Sequence, residues 1–216
     1  MTAALFDLDG TLVDSRPGIV ASLQAMLRGL GHPVDRRADY TWAVGPPLEQ
    51  SIGAILAPYG DARVAEGARL YREHYGVQGL FVTTLFPGIA AMLDALAGQR
   101  LFVVTSKREV FARRILDRLG LAQCFVAIHG AIEGGAFDDK AVLLRHVLDR
   151  HGIDRTRAVM IGDRHHDIDA ARANALASLG VAWGYAGAGE LAAADAVVAR
   201  PDELPAAIAA WTAPDR

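Results

Sequence analysis

Residues 3–11, AALFDLDGT, decide how the rest of the chain is read. Ala3 to Phe6 form a short apolar run suited to a strand buried on both faces. The run ends in Asp7-Leu8-Asp9-Gly10-Thr11. Carboxylates two positions apart on extended backbone point to the same side, and the glycine turns the chain. Like charges held that close repel unless a cation stands between them. The stretch therefore predicts a buried strand that delivers a charged site at its carboxyl end.

Working outward, further short apolar runs read as buried strands at Leu101–Val104, Phe125–Ile128, Ala158–Ile161 and Ala177–Val181, with a weaker one at Ala196–Val198. Helical patterns lie between them at Ile89–Ala97, Val110–Leu119, Ala141–His151 and Asp167–Ala175. This alternation predicts an α/β fold, a Rossmann-like parallel sheet core with helices on both faces. The rhythm is broken once. From Ser15 to Thr84 the pattern is helical throughout: Ile19, Leu23, Met26, Leu27 and Leu30 recur at helical spacing, and further helices are expected at Leu48–Leu56 and Ala62–Tyr75. An all-helical domain inserted after the first strand is the expectation.

Ligands of parallel sheets gather at the carboxyl ends of the strands, and polar clusters stand there. They are Asp7 to Thr11, then Thr105-Ser106-Lys107, then Asp138-Asp139-Lys140 opening a helix, and finally Gly162-Asp163-Arg164-His165-His166-Asp167. Asp7, Asp9, Asp163 and Asp167 would converge on one edge. Hard oxygen donors without a cysteine nearby suit Mg²⁺. Thr105, the amide of Ser106 and Lys140 supply the hydroxyl, N–H and cation that a phosphate group wants. His165 and His166 are adjacent, and neighbours on a helix diverge by about 100°, so capping or exposure is expected rather than metal binding. Arg164 reads as a local ion-pair partner, Lys107 equally as a rim cation or a helix-start surface residue, and Trp183-Gly184-Tyr185 as loop packing.

Composition narrows the classes. The 216 residues carry a net charge of −3, which gives no electrostatic case for nucleic acid or an anionic membrane. No apolar run approaches a membrane span, and the lone Cys124, placed in an apolar run, fits core packing in a reducing cytoplasm. Among 22 basic residues only Lys107 and Lys140 are lysines, which singles out two places for a compact ammonium.

In the order of its clusters the chain resembles the haloacid dehalogenase-like hydrolases, in the branch with a helical cap, and most of all their phosphoglycolate phosphatase-like members. The resemblance rests on FDLDGTLVDS (6–15), VGPPLEQSI (44–52), FPGI (86–89), VVTSK (103–107) and VMIGDRHHDIDAARA (159–173). It implies a catalytic core of residues 1–14 and 85–216 and a cap of residues 15–84. It makes Asp7 the nucleophile that becomes an aspartyl phosphate and Asp9 the acid and base that serves the leaving alcohol and the water. Mg²⁺ would lie between Asp7, the Asp9 carbonyl and Asp163, with Asp167 acting through water. Thr105, Ser106 and Lys140 would hold the phosphate, and Arg16 with the cap loop Gly45, Pro46 and Pro47 would read the substrate. The implied partner is a small phosphate ester, phosphoglycolate first, with a 5′-nucleotidase as competitor. A phosphomutase stays open, and so does a non-catalytic phospho-ligand binder. A Schiff-base phosphonate hydrolase is disfavoured, because no lysine falls between Ser15 and Thr84; a dehalogenase is disfavoured because Asp9 is present.

Overall fold

The computed structural model describes residues 2–35, 37–132, 135 and 137–211. It divides into two compact units, Met1–Asp14 with Leu85–Arg216, and Ser15–Thr84. In the first unit a six-stranded sheet runs in the order β5-β4-β1-β6-β7-β8. Its strands are β1 (Ala3–Phe6), β4 (Arg100–Arg108), β5 (Ala127–Ala131), β6 (Ala158–Gly162), β7 (Ala177–Val181) and β8 (Ala196–Val198). All adjacent pairs are parallel. From β1 the chain builds outward to β4 and β5, then returns to β1's other side for β6, so β1 stands at the point where strand order reverses. That is where such sheets place their ligands.

The apolar runs are continuous rather than alternating because both faces are covered. Ala3, Leu5, Phe102, Val104 and Met160 pack with Leu143, Leu144, Val147 and Leu148 of α6 (Lys140–Arg150) and with Ala170 and Ala171 of α7 (His165–Ala173). Phe6, on the opposite face from Leu5, meets Phe125 edge to face at 6.3 Å between ring centres. Each fully buried Leu, Val, Met or Phe among them contributes about 1.5–3 kcal/mol of transfer free energy. The remaining helices of this unit are α4 (Ile89–Ala95), α5 (Glu109–Arg118) and α8 (Leu204–Trp211).

Several boundaries shift by one or two residues from the sequence reading, and three of the shifts have a clear cause. β5 begins two residues late, because Ala122–Cys124 form a single 3-10 turn and pairing starts only at Phe102↔Ala127. Cys124 is accordingly half-buried on that turn instead of packed in the core. β4 continues past Thr105 to Arg108, so polar residues that look like a loop are extended chain. α7 starts at His165, two residues early, because Asp167 caps it: its Oδ2 accepts the Arg164 backbone N–H at 3.1 Å. Just after α7, Ala175 has φ +52°, the one non-glycine in the left-handed region among the described residues.

The second unit holds α1 (Arg16–Gly29), α2 (Leu48–Leu56) and α3 (Val64–Val77). Leu23, Met26, Leu27, Ile52, Leu56, Tyr75 and Leu80 are fully buried in it. The two short strands β2 (Val13–Asp14) and β3 (Thr84–Leu85) pair where the chain leaves the sheet and where it comes back.

On β5, His129 makes a head-on ring contact with His151 at the end of α6, 2.9 Å between their Nε2 atoms. Burial, then the neighbouring His151, pushes the His129 pKa down to about 4. The folded value lies below the ordinary 6.5, so this contribution is present above pH 6.5 and lost as pH falls towards 4. Because the ring is half-exposed, the loss is expected to be only about 1–2 kcal/mol. Thermal melts of His129→Gln against the parent at pH 7 and pH 4.5 check this. The variant should lose fewer degrees on acidification, and parallel losses would reject it.

Candidate active site

Strand register brings the clusters together. Phe6 pairs with Val103 on one side and Ile161 on the other, so Asp7, one residue further along β1, shares one sheet edge with Thr105 and Asp163, each two residues further along their strands. The chain then turns sharply: Leu12 and Val13 both donate to the Leu8 carbonyl, at 3.0 Å each. Gly10 makes the turn possible, with φ +87° and no room for a side chain, since a Cβ would stand 2.1 Å from an Asp163 oxygen. Gly162 is constrained alike: a Cβ there would meet Asp167 at 2.1 Å.

Carboxylate oxygens of Asp7, Asp163 and Asp167, all buried, lie within 4.8 Å of one another. One ammonium serves them. Lys140, at the first position of α6 beyond its Asp139 cap, puts Nζ 2.6 Å from Asp7 Oδ1 and also against Asp167 Oδ1. Three buried acids around one cation leave negative charge uncompensated. Burial, overcoming the Lys140 charge, pushes Asp7 up to about 6. Burial and then the Asp7 and Asp167 charges drive Asp163 well above the usual carboxylate range. Burial opposes the Lys140 charge, but Asp167 and Asp7 overrule it and hold the ammonium protonated. Hard oxygen donors short of positive charge are what a divalent cation such as Mg²⁺ satisfies, so these residues fit that ion.

Asp163 is further fixed by the Thr11 hydroxyl, which donates to Oδ1 at 3.2 Å, and by the Tyr185 N–H, which donates to Oδ2 at 2.8 Å. Asp9 stands outside the triad of side chains. Its Oδ2 is 2.8 Å from Lys107 Nζ, and its buried Oδ1 has no hydrogen-bond partner among the described residues. Thr105 is buried and Ser106 half-buried at the end of the regular part of β4. Arg16 is exposed at the first position of α1, and Gly45, at φ +109°, leads through Pro46 and Pro47 into α2; all four belong to the helical unit.

His165 and His166 stand outside the carboxylate triad. His165 Nδ1 and Arg164 Nε both contact Glu190 Oε1, at 2.7 and 2.6 Å. Burial opposes ionisation of Glu190, yet the hydrogen bonds from Arg164, the Gly187 N–H and His165 hold its carboxyl down at about 2. The loop after β7 contributes more than packing. Besides the Tyr185 amide on Asp163, Trp183 Nε1 donates to the Thr11 carbonyl at 3.0 Å, and the Tyr185 hydroxyl to Asp14 at 2.7 Å. The signal for this was its place, since Trp183-Gly184-Tyr185 follows the carboxyl end of another strand.

A family model described as haloacid dehalogenase-like hydrolase matches residues 1–174. The chain belongs to that family. It is phosphoglycolate phosphatase-like and an enzyme of the phosphatase class. A 5′-nucleotidase of Pseudomonas aeruginosa is 41% identical over 193 residues, covering 88% of this chain and 86% of that one. The tyrosine-protein kinase PtkA of Mycobacterium tuberculosis is 42% identical over 184 residues, 84% of this chain but 62% of its own length. A phosphoglycolate phosphatase of Cupriavidus necator is 35% identical over 214 residues, 95% of this chain and 92% of its own. The crystal structure of a predicted phosphatase from Clostridium acetobutylicum superposes with a TM-score of 0.88 at 34% identity, covering 96% and 97% of the two chains.

Proposed function

We propose that the protein is a Mg²⁺-dependent phosphomonoesterase that works through an aspartyl phosphate on Asp7. The observation that carries this is the division of labour between two buried ion pairs. Lys140 holds the Asp7 carboxylate, while Asp9, held by Lys107, keeps one oxygen uncommitted. Asp7 attacks phosphorus and the ester P–O bond breaks. Asp9 gives its proton to the departing alkoxide. Water then attacks phosphorus, Asp9 takes the proton, and the Asp7–phosphorus bond breaks to release inorganic phosphate. Thr105, the Ser106 amide and Lys140 balance charge on the phosphoryl oxygens. Asp7, Asp163, the Asp9 carbonyl and, through water, Asp167 would hold Mg²⁺, which when bound supplies the missing positive charge and Lewis acidity.

Residues 15–84 serve as the cap, with Arg16 and the Gly45-Pro46-Pro47 loop reading the substrate. The substrate is a small soluble phosphate ester in the cytoplasm, a setting that the single cysteine suits. No helix among the described residues is long and apolar enough to cross a membrane. Two esters lead. Phosphoglycolate fits the motif set, and nucleoside 5′-monophosphates gain support from the more similar relative, 41% identical against 35%. Phosphate release from a panel of both, with sugar phosphates and phosphotyrosine, ranks them by kcat/KM. No turnover on any ester by folded, Mg²⁺-loaded protein would sink the reading.

Metal fit has a readout independent of turnover. Mg²⁺ at a hundred times its Kd is expected to stabilise the fold by about 2.7 kcal/mol. For a chain of this size that raises the Tm by about 5–10 °C. Chelator should reverse the shift, and Asp163→Asn should abolish it while raising the melting point of the metal-free protein. An unchanged Tm at millimolar Mg²⁺ would contradict the assignment.

A further inference from the structure

We propose that Lys107 is a positioning residue that orients Asp9 for proton transfer, an inference that rests on Asp9 acting as acid and base. Three separate features of β4 build it. First, the register between β4 and β5 slips between Thr105↔Gly130 and Arg108↔Ala131, so three steps on β4 answer one step on β5. Ser106 and Lys107 are thereby thrown out of the ladder. Bulges of this kind recur beside active sites, where they re-aim a side chain.

Second, the bulge is seated. The Thr105 hydroxyl oxygen accepts the Lys107 N–H at 3.3 Å, and the Lys107 carbonyl lies over Gly130 where a Cβ would be 2.4 Å from it. Only glycine on the neighbouring strand leaves room for this backbone. Third, the lysine it presents is not a surface residue: its side chain is 7% exposed, and Nζ lies 2.8 Å from Asp9 Oδ2. The other oxygen, Oδ1, is the buried one without a partner among the described residues. Lys107 thus occupies one carboxylate oxygen and fixes the rotamer, leaving Oδ1 to exchange a proton with the leaving alcohol and then with water. Both lysines of the chain hold a reacting aspartate, Lys140 on Asp7 and Lys107 on Asp9.

Dependence on the leaving group separates orientation of an acid from binding of a phosphate. An alkyl ester needs a proton from Asp9 as its P–O bond breaks, whereas p-nitrophenolate leaves without one, and kcat/KM reports the first chemical step for both. In Lys107→Met, kcat/KM is expected to fall about 10²-fold on an alkyl monoester such as glycerol phosphate. On p-nitrophenyl phosphate the fall should stay within about 3-fold. Gly130→Ala displaces the bulge without touching a charge and should show the same selective loss, smaller in size. It carries the test together with Lys107→Arg if Lys107→Met does not fold. Equal losses on the two esters, or none on either, would overturn the inference. A wild-type protein that turns over no ester of the whole panel would instead overturn the phosphatase reading on which it stands.

Discussion

Asp7→Asn should lower turnover by about 10⁴-fold or more and leave the fold at least as stable as the parent. Both halves follow from the same three-acid cluster. Asn keeps the shape and can still accept from Lys140, but its amide cannot displace an alkoxide from phosphorus, so the covalent route is closed. Stability moves the other way because Asp7 is buried beside Asp163 and Asp167 with one ammonium among them. Burial already holds the Asp7 carboxyl up at about 6, which means that its charge is costly in the folded state. Removing one of three charges leaves Lys140 with Asp167 and relieves repulsion. Phosphate release and a thermal melt on the same preparation check the pair of expectations. Residual activity above one per cent would point to another nucleophile, and a melting point several degrees lower would mean that the cluster is balanced in some other way.

Lys140→Met should be as damaging to catalysis in kind but opposite in stability. Loss of a donor that stabilises charge in the transition state costs about 10²–10³-fold, and here the same group also orients the nucleophile. The ammonium is 7% exposed, and without it three buried carboxylates face one another. Breaking a buried ion pair by removing one partner costs about 3–5 kcal/mol. That corresponds to a Tm lower by roughly 6–20 °C for a chain of this length. Mg²⁺ should recover part of that stability and little of the activity. Lys140→Arg should not restore turnover, because a planar fork cannot stand in for a point charge shared by two carboxylates. A Lys140→Met protein that melts with the parent would show that the acids are neutralised without it.

What the sequence disclosed follows from how local each feature is. Strand β1 and its turn are written in the nine consecutive residues 3–11, and the Gly162 to Asp167 turn in six, because apolar runs, glycine and clustered acids are all short-range signals. The convergence of Asp7, Asp163 and Asp167 needed only the rule that ligands collect at strand ends. The start of β5 was misplaced because Phe125 and Val126 are as apolar as strand residues, while pairing waits for Ala127. Lys107 was ambiguous for a different reason. Its role depends on a bulge that a glycine on another strand permits, 23 residues further along, and neither residue announces it alone. The Tyr185 contact was invisible in principle, since a backbone N–H carries no side-chain signature.

If phosphorus passes through a covalent bond to Asp7, Asp9→Asn is the protein in which to catch it. With p-nitrophenyl phosphate the first step needs no acid, while the second lacks its base, so the intermediate should accumulate. Acid quench within the first turnover, followed by peptide mass analysis, should find one phosphoryl group on Asp7 and none in Asp7→Asn. A phosphoryl group on a different residue, or an unmodified Asp7 peptide from protein whose wild type turns over, would contradict the account.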